Sequence, residues 1–107
     1  MLPERGAESE VGPVLLAGRV ADAIVAAIRR QNAGARIMLR GSYVRVAVSS
    51  RCEVDARVVA DLLGEPFRLP SDLERVMPSF RGRLRLTEDR ALWEAGRVTF
   101  APPEAGR

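Results

Sequence analysis

The chain has 107 residues, 47% of them apolar and 29% charged, with seventeen basic and fourteen acidic side chains and a formal net charge of +3. That length supports one core rather than two, and with no run of about 18 apolar residues no segment is expected to span a membrane. Histidine and lysine are absent and cysteine occurs once, which excludes an internal disulfide and the common zinc and haem sites from this chain alone.

Residues 1–10 (MLPERGAESE) are acidic, polar and without periodicity. They read as a flexible tail rather than a secretory signal, so a cytoplasmic location is expected. A single domain is expected over residues 11–100, followed by a second tail over 101–107. Val11 to Gly18 reads as a short strand, with Pro13 at an edge or at the strand's start because it has no N–H. From Val20 to Arg30, Val20, Ile24, Ala27 and Ile28 form one apolar helical face. Asp22 in the first turn and Arg29 and Arg30 in the last suit the helix dipole, and Asn32-Ala33-Gly34 is expected to supply a left-handed stop. Arg36 to Arg40 and Tyr43 to Val48 alternate around Gly41-Ser42, which predicts a hairpin with Val44, Val46 and Val48 inward and Tyr43 and Arg45 outward.

A second helix is expected from Asp55 as N-cap, with Val54 and Val59 as a hydrophobic staple, Val58, Val59, Leu62 and Leu63 inward, and Gly64 as its stop. Ser71-Asp72-Leu73-Glu74 fits a capping box opening a short helix that ends before Pro78. Phe80 to Leu86 alternates strictly and reads as one strand, with Arg81, Arg83 and Arg85 as a solvated row. A turn over Thr87 to Arg90 leads back through Ala91 to Glu94, with Leu84, Leu86 and Trp93 in the core and a weak last strand at Val98 to Phe100. The order β-α-β-β-α-(short α)-β-β predicts an α+β fold, two helices packed on one face of a largely antiparallel sheet.

Without histidine the chain lacks the usual general base near neutral pH. Its carboxylates are scattered, nearly all with an arginine close by, and no convergent polar cluster or phosphate-cradling glycine loop is present, so nothing reads as an enzyme or a small-molecule site. Cys52 reads as a small apolar filler beside a turn; Arg51 could activate its thiol, but Glu53 opposes this. All seventeen basic residues are arginine, either a compositional preference or a set of bidentate contacts to carboxylates or phosphates. They are unevenly placed: residues 1–18 carry a net charge of −2, whereas residues 19–51 carry seven arginines against Asp22 alone, a net of +6. A basic middle suggests an acidic partner surface, nucleic acid or protein. The small overall charge and 5% aromatic content argue against a nucleic-acid module, which would need stacking platforms.

Five stretches in register carry a family resemblance: Val11-Gly12-Pro13 with Ala17-Gly18, Asn32-Ala33-Gly34, Tyr43-Val44-Arg45-Val46, Leu63-Gly64-Glu65-Pro66-Phe67 and Ser79-Phe80-Arg81-Gly82. The sequence resembles the effector, or coupling, proteins of soluble di-iron multicomponent monooxygenases, in the toluene and alkene monooxygenase branch of the methane monooxygenase regulatory protein B and phenol hydroxylase effector family. Ser9-Glu10, Ala56 and the strand Arg90 to Glu94 depart from that pattern. The resemblance implies a non-catalytic regulatory component without a metal, flavin or other cofactor. It implies docking on a hydroxylase above its di-iron centre, tuning oxygen activation, substrate access and the coupling of NADH use to hydroxylation or epoxidation of an aromatic or alkene substrate. Electrons would arrive through a reductase and a Rieske-type ferredoxin that competes for, or alternates on, an overlapping surface. The free protein is expected to be a monomer that engages neither nucleic acid nor membrane. Val11, Gly12, Pro13, Asn32, Gly34, Tyr43 and Arg45 are the expected hydroxylase-binding residues, on the expectation that they lie exposed.

Overall fold

The alternating segments and amphipathic helices above meet in one core in a computed structural model, which describes residues 9–96. In chain order the elements are β1 (Glu10–Leu16), α1 (Arg19–Gln31), β2 (Arg36–Arg40), β3 (Tyr43–Ser49), β4 (Arg51–Asp55), α2 (Ala56–Leu63), α3 (Ser71–Glu74), β5 (Ser79–Arg81), β6 (Arg83–Leu86) and β7 (Arg90–Glu94). All described strand pairs are antiparallel, as expected, but they form two sheets rather than one: β2-β3-β1-β5 and β4-β7-β6. The inner faces of both sheets and the apolar faces of the helices share one buried cluster, in which Leu15, Ile24, Ile28, Val59, Leu73 and Trp93 are fully enclosed. Burying side chains of this size stabilises by about 1.5–3 kcal/mol each. Against that gain, the indole N–H of Trp93 finds no hydrogen-bond partner among the described residues, a cost of about 1–3 kcal/mol. Among the described residues, no helix is long and apolar enough to cross a membrane.

Helix α1 runs one residue past the predicted span at each end, with Ala21 and Ala23 joining its buried face. Leu84 and Leu86 are partly buried against the core around Trp93. Several local expectations are corrected. The strand β4 was not anticipated, because its inward residues are only Cys52 and Val54, set among Arg51, Glu53 and Asp55. The run from Phe80 to Leu86 is two strands in different sheets, broken at Gly82 with φ 100°. A Cβ at Gly82 would lie 2.7 Å from Val11 Cγ1 and 2.9 Å from the Glu94 carbonyl oxygen, so only glycine lets the chain cross there. Pro13 is not at an edge: β1 lies between β3 and β5. Recorded partners between β1 and β3 skip Gly12 and Pro13, so the missing proline N–H falls in a gap of that ladder. Asp55 takes the N-cap position of α2 as expected, but its side chain makes no capping hydrogen bond; its carboxylate lies 3.5 Å from Arg90 Nε instead. The Ser71 capping box does not form either; Asp72 Oδ2 accepts from the Arg68 N–H at 2.7 Å. Strand β1 already begins at Glu10, and Ser9 accepts a backbone hydrogen bond from Ser50 N–H, so both belong to the folded unit. Residues 1–8 of the predicted N-terminal tail, the strand at Val98 to Phe100 and the tail at 101–107 lie outside the described residues.

The end of α1 does more than stop a helix. Asn32 is extended, with φ −134°, and the left-handed residue is Gly34, with φ 76°. The Asn32 amide donates to the carbonyls of Ile28 and Glu53, both at 2.8 Å, and its oxygen accepts from Glu53 N–H at 2.9 Å. Gln31 Oε1 accepts from Asp55 N–H at 2.8 Å. Two side-chain amides thus satisfy the outward backbone groups of β4, where a further strand would otherwise sit. Asn32→Ala should lower unfolding free energy by about 2 kcal/mol through loss of these bonds to part-buried backbone, read from urea denaturation. An unchanged midpoint would show that the clasp is not formed in solution.

Candidate functional site

Most described carboxylates are already engaged in structural contacts. Glu65 pairs with Arg19 at 3.0 Å, Glu53 with Arg51 at 3.3 Å and Arg90 at 3.6 Å, and Glu94 with Arg85 at 3.8 Å. Glu10 pairs with Arg36. These pairs are solvent-exposed, so each contributes at most about 1 kcal/mol. Among the described residues no three Cys, Asp or Glu side chains gather as a metal site. A cleft of about 480 Å³ between α1 and α2 is lined by Gly18, Arg19, Asp22, Ala23, Ala26, Leu62 and Leu63, with Arg19 held by Glu65 and the Leu63 carbonyl. It holds no convergent acid and base.

The two sheets differ sharply on their outer faces. Directly opposed residues in an antiparallel ladder share a face, so the register of β4-β7-β6 lays out the rows Arg51–Glu94–Arg83, Glu53–Leu92–Arg85 and Asp55–Arg90. Charges alternate in sign there and largely satisfy one another. On β2-β3-β1-β5 the corresponding rows are Arg40–Tyr43–Leu16, Met38–Arg45–Val14–Ser79 and Arg36–Ala47, with Gly12 opposite Arg81. This face is basic and amphipathic. Its carboxylate, Glu10, is taken by Arg36, and no ion pair is recorded for Arg40 or Arg45 among the described residues. Tyr43 is 44% exposed and Leu16 40% exposed, with Val14 and Met38 half-buried between the arginines.

The seven residues singled out in the sequence divide across this geometry. Tyr43 and Arg45 lie two apart on the outer face of β3, exposed and half-buried respectively. Val11 and Pro13 are buried rather than exposed, Val11 at 2%. Gly12 is also enclosed; a Cβ there would lie 2.5 Å from the Val46 carbonyl oxygen, so its role is the close approach of β1 to β3. Asn32 is half-buried in the β4 clasp, and Gly34 is exposed at the corner between α1 and β2. Leu16, Met38 and Arg40 were not anticipated on the Tyr43 face. The apolar run Val14-Leu15-Leu16 conceals which of its members point outward, and only the pairing of β1 with β3 separates them.

Residues 9–94 match the MmoB/DmpM family. The effector subunit of the alkene monooxygenase system of Xanthobacter autotrophicus (strain ATCC BAA-1158 / Py2) is 34% identical over 88 residues, 80% of this chain and 86% of that protein. A chain in the structure of a phenol hydroxylase–regulatory protein complex has a similar fold, with a TM-score of 0.71 at 14% identity, covering 79% of this chain and 95% of that one. The α+β architecture is therefore shared despite little common sequence.

Cys52 is fully buried in β4, and burial, reinforced by the Glu53 carboxylate, pushes its thiol from an ordinary value of 9.0 up to about 12. The thiolate is thus open to the unfolded chain above pH 9 and to the folded chain only near 12. A group raised on folding stabilises below the unfolded value and loses that contribution as pH rises toward the folded one, by about 1.4 kcal/mol per pH unit. Relative to Cys52→Ala, the native chain should lose stability across pH 9–11 in urea titrations; parallel curves would show that the thiol is accessible.

Proposed function

Because this chain belongs to the MmoB/DmpM family, we propose that it is the effector component of a multicomponent di-iron monooxygenase, a regulatory partner that docks on the hydroxylase and performs no chemistry of its own. Family membership over residues 9–94 supports the class of function, and the 34%-identical effector subunit of an alkene monooxygenase system supports the role. The contrast between the two outer faces supports the choice of surface. One is a charge-balanced lattice, whereas the other offers Arg40 and Arg45 beside Tyr43, Leu16 and Met38. Arg and Tyr are over-represented among residues that dominate binding energy, and cations without partners in the free protein favour an acidic surface.

The mechanism follows from linkage. An effector shifts its partner only by binding one conformation better than another, and moving a population from 1:99 to 99:1 takes about 5.5 kcal/mol of differential binding. A sheet whose strands are locked by Gly12 against Val46 supplies a stiff template for such selection. In this proposal Tyr43 and Arg45 contact the hydroxylase, Gly34 lies at the neighbouring corner, and Val11, Gly12, Pro13 and Asn32 hold the surface from beneath. The selected hydroxylase conformation would set oxygen activation, substrate access and product formed per NADH, on an aromatic or alkene substrate. A Rieske-type ferredoxin would alternate with it on an overlapping surface. The free effector would be a cytoplasmic monomer with a single domain that takes in Ser9 and Glu10.

The test reconstitutes hydroxylase, ferredoxin and reductase and measures product per NADH with and without this chain. Arg45→Glu should weaken hydroxylase affinity about tenfold, the scale of one lost charged contact, and lower product per NADH at limiting effector. Affinity and yield both unchanged would remove the outer face of β3 from the interface. Binding to generic DNA with a steep salt dependence would instead favour a phosphate-tracking protein, which the basic face also admits.

A further inference from the structure

Leu39 is 74% exposed, the most exposed large apolar side chain among the described residues. The alternation of β2 assigns it inward, and the register agrees: Leu39 opposes Val44, which opposes Leu15, and both of those are buried. The core reaches β2 at Ile37 but ends before Leu39. On the opposite face, Tyr43 of β3 opposes Leu16 of β1, and both are exposed, at 44% and 40%. Three of the four exposed large hydrophobics among the described residues therefore gather at the Gly41-Ser42 end of the β2–β3 hairpin, on both of its faces. The fourth, Phe80, lies on β5, across the sheet. The tip is also held firmly, since Ala17 N–H donates to the Ser42 carbonyl at 2.8 Å and ties the turn to the segment between β1 and α1.

A flat partner covers one face of this sheet corner, where β1 flanks the hairpin as far as Tyr43, and leaves the other face wet. Apolar side chains exposed on both faces of a stiff tip fit a cleft, whose two walls bury Leu39 on one side and Tyr43 with Leu16 on the other. From this we infer that the β2–β3 hairpin tip is a finger that inserts into an apolar-walled cleft of the hydroxylase, with carboxylates at the rim to receive Arg40 and Arg45. The inference rests on the effector reading above and specifies the shape and chemistry of the partner surface. Charge selects this occupant over a second copy of the chain. Arg40 sits directly opposite Tyr43 at the tip, and residues 19–51 carry seven arginines against one aspartate, so two tips brought together would set cation against cation.

The test measures hydroxylase affinity of the full chain and of Leu39→Asp, with thermal unfolding of each; Leu39→Ser replaces it if the aspartate variant unfolds early. Loss of the order of tenfold or more, the scale of one leucine returned to water, at unchanged unfolding temperature supports the finger. Affinity within twofold of the native chain overturns it while leaving the effector reading intact. No binding by the native chain overturns the effector reading itself, and the finger with it. Cleft and flat docking are separated by Leu39→Cys and Tyr43→Cys, each labelled with an environment-sensitive dye while Cys52 stays buried. Both dyes should shift to the blue on adding hydroxylase, and a shift at only one position overturns the cleft. Self-association of the native chain that Leu39→Asp abolishes would assign the tip to a second copy and overturn the proposal.

Discussion

Where β5 hands the chain to β6, the backbone passes from one sheet to the other at Gly82, within 2.7 Å of where a side chain would meet Val11. At the next residue of β1, Gly12 lets the same strand press against Val46 of β3 at a distance no Cβ would tolerate. Both contacts converge on β1, the strand between β3 and β5 that also packs against the second sheet. Two missing side chains therefore allow seven short strands to share one core instead of forming two thin ones, a real gain for a chain this small. The basic face, the hairpin and the α1 clasp are all positioned relative to that junction.

The free energy holding this arrangement is almost wholly apolar. No polar or charged residue is buried among those described, and the ion pairs lie at the surface. Charge is therefore available for other work, and the two outer faces use it differently. On β4-β7-β6 Arg90 pairs with Asp55 and Glu53, Arg85 with Glu94 and Arg51 with Glu53, so that face has little to gain from a partner. On β2-β3-β1-β5 the arginines stand among half-exposed apolar side chains. One region is thus spent on rigidity, while the other keeps arginines and apolar side chains at the surface.

Much of the architecture was legible because local and tertiary signals agreed. The 3.6-residue spacing of Ile24, Ala27 and Ile28 and the alternation around Gly41-Ser42 each specify an element and its buried side. What escaped was set by contacts distant in sequence. Cys52 and Val54 are too few to announce β4, and Gly82 resembles an ordinary member of an alternating strand until Val11 arrives beside it. Propensity puts Pro13 at an edge or at a strand's start, because it knows nothing of a gap in the ladder of a central strand. The face bearing Tyr43 and Arg45 was visible in part, but Leu16 and Met38 join it only through register, and Leu39 is exposed because the core stops short of it. Asn32 carried a recognisable motif, yet its amide is occupied by β4, a partner that spacing could not reveal.

That use of Asn32 and Gln31 bears on how the protein behaves at working concentration. A strand with its outward N–H and C=O groups vacant can template another chain, and repeated templating grows into fibres. On the β4 flank those groups are occupied by carboxamides from the same molecule, so no foreign backbone can add there without first displacing α1. The folded chain is thereby spared one ordinary route to polymerisation, at the expense of two side chains.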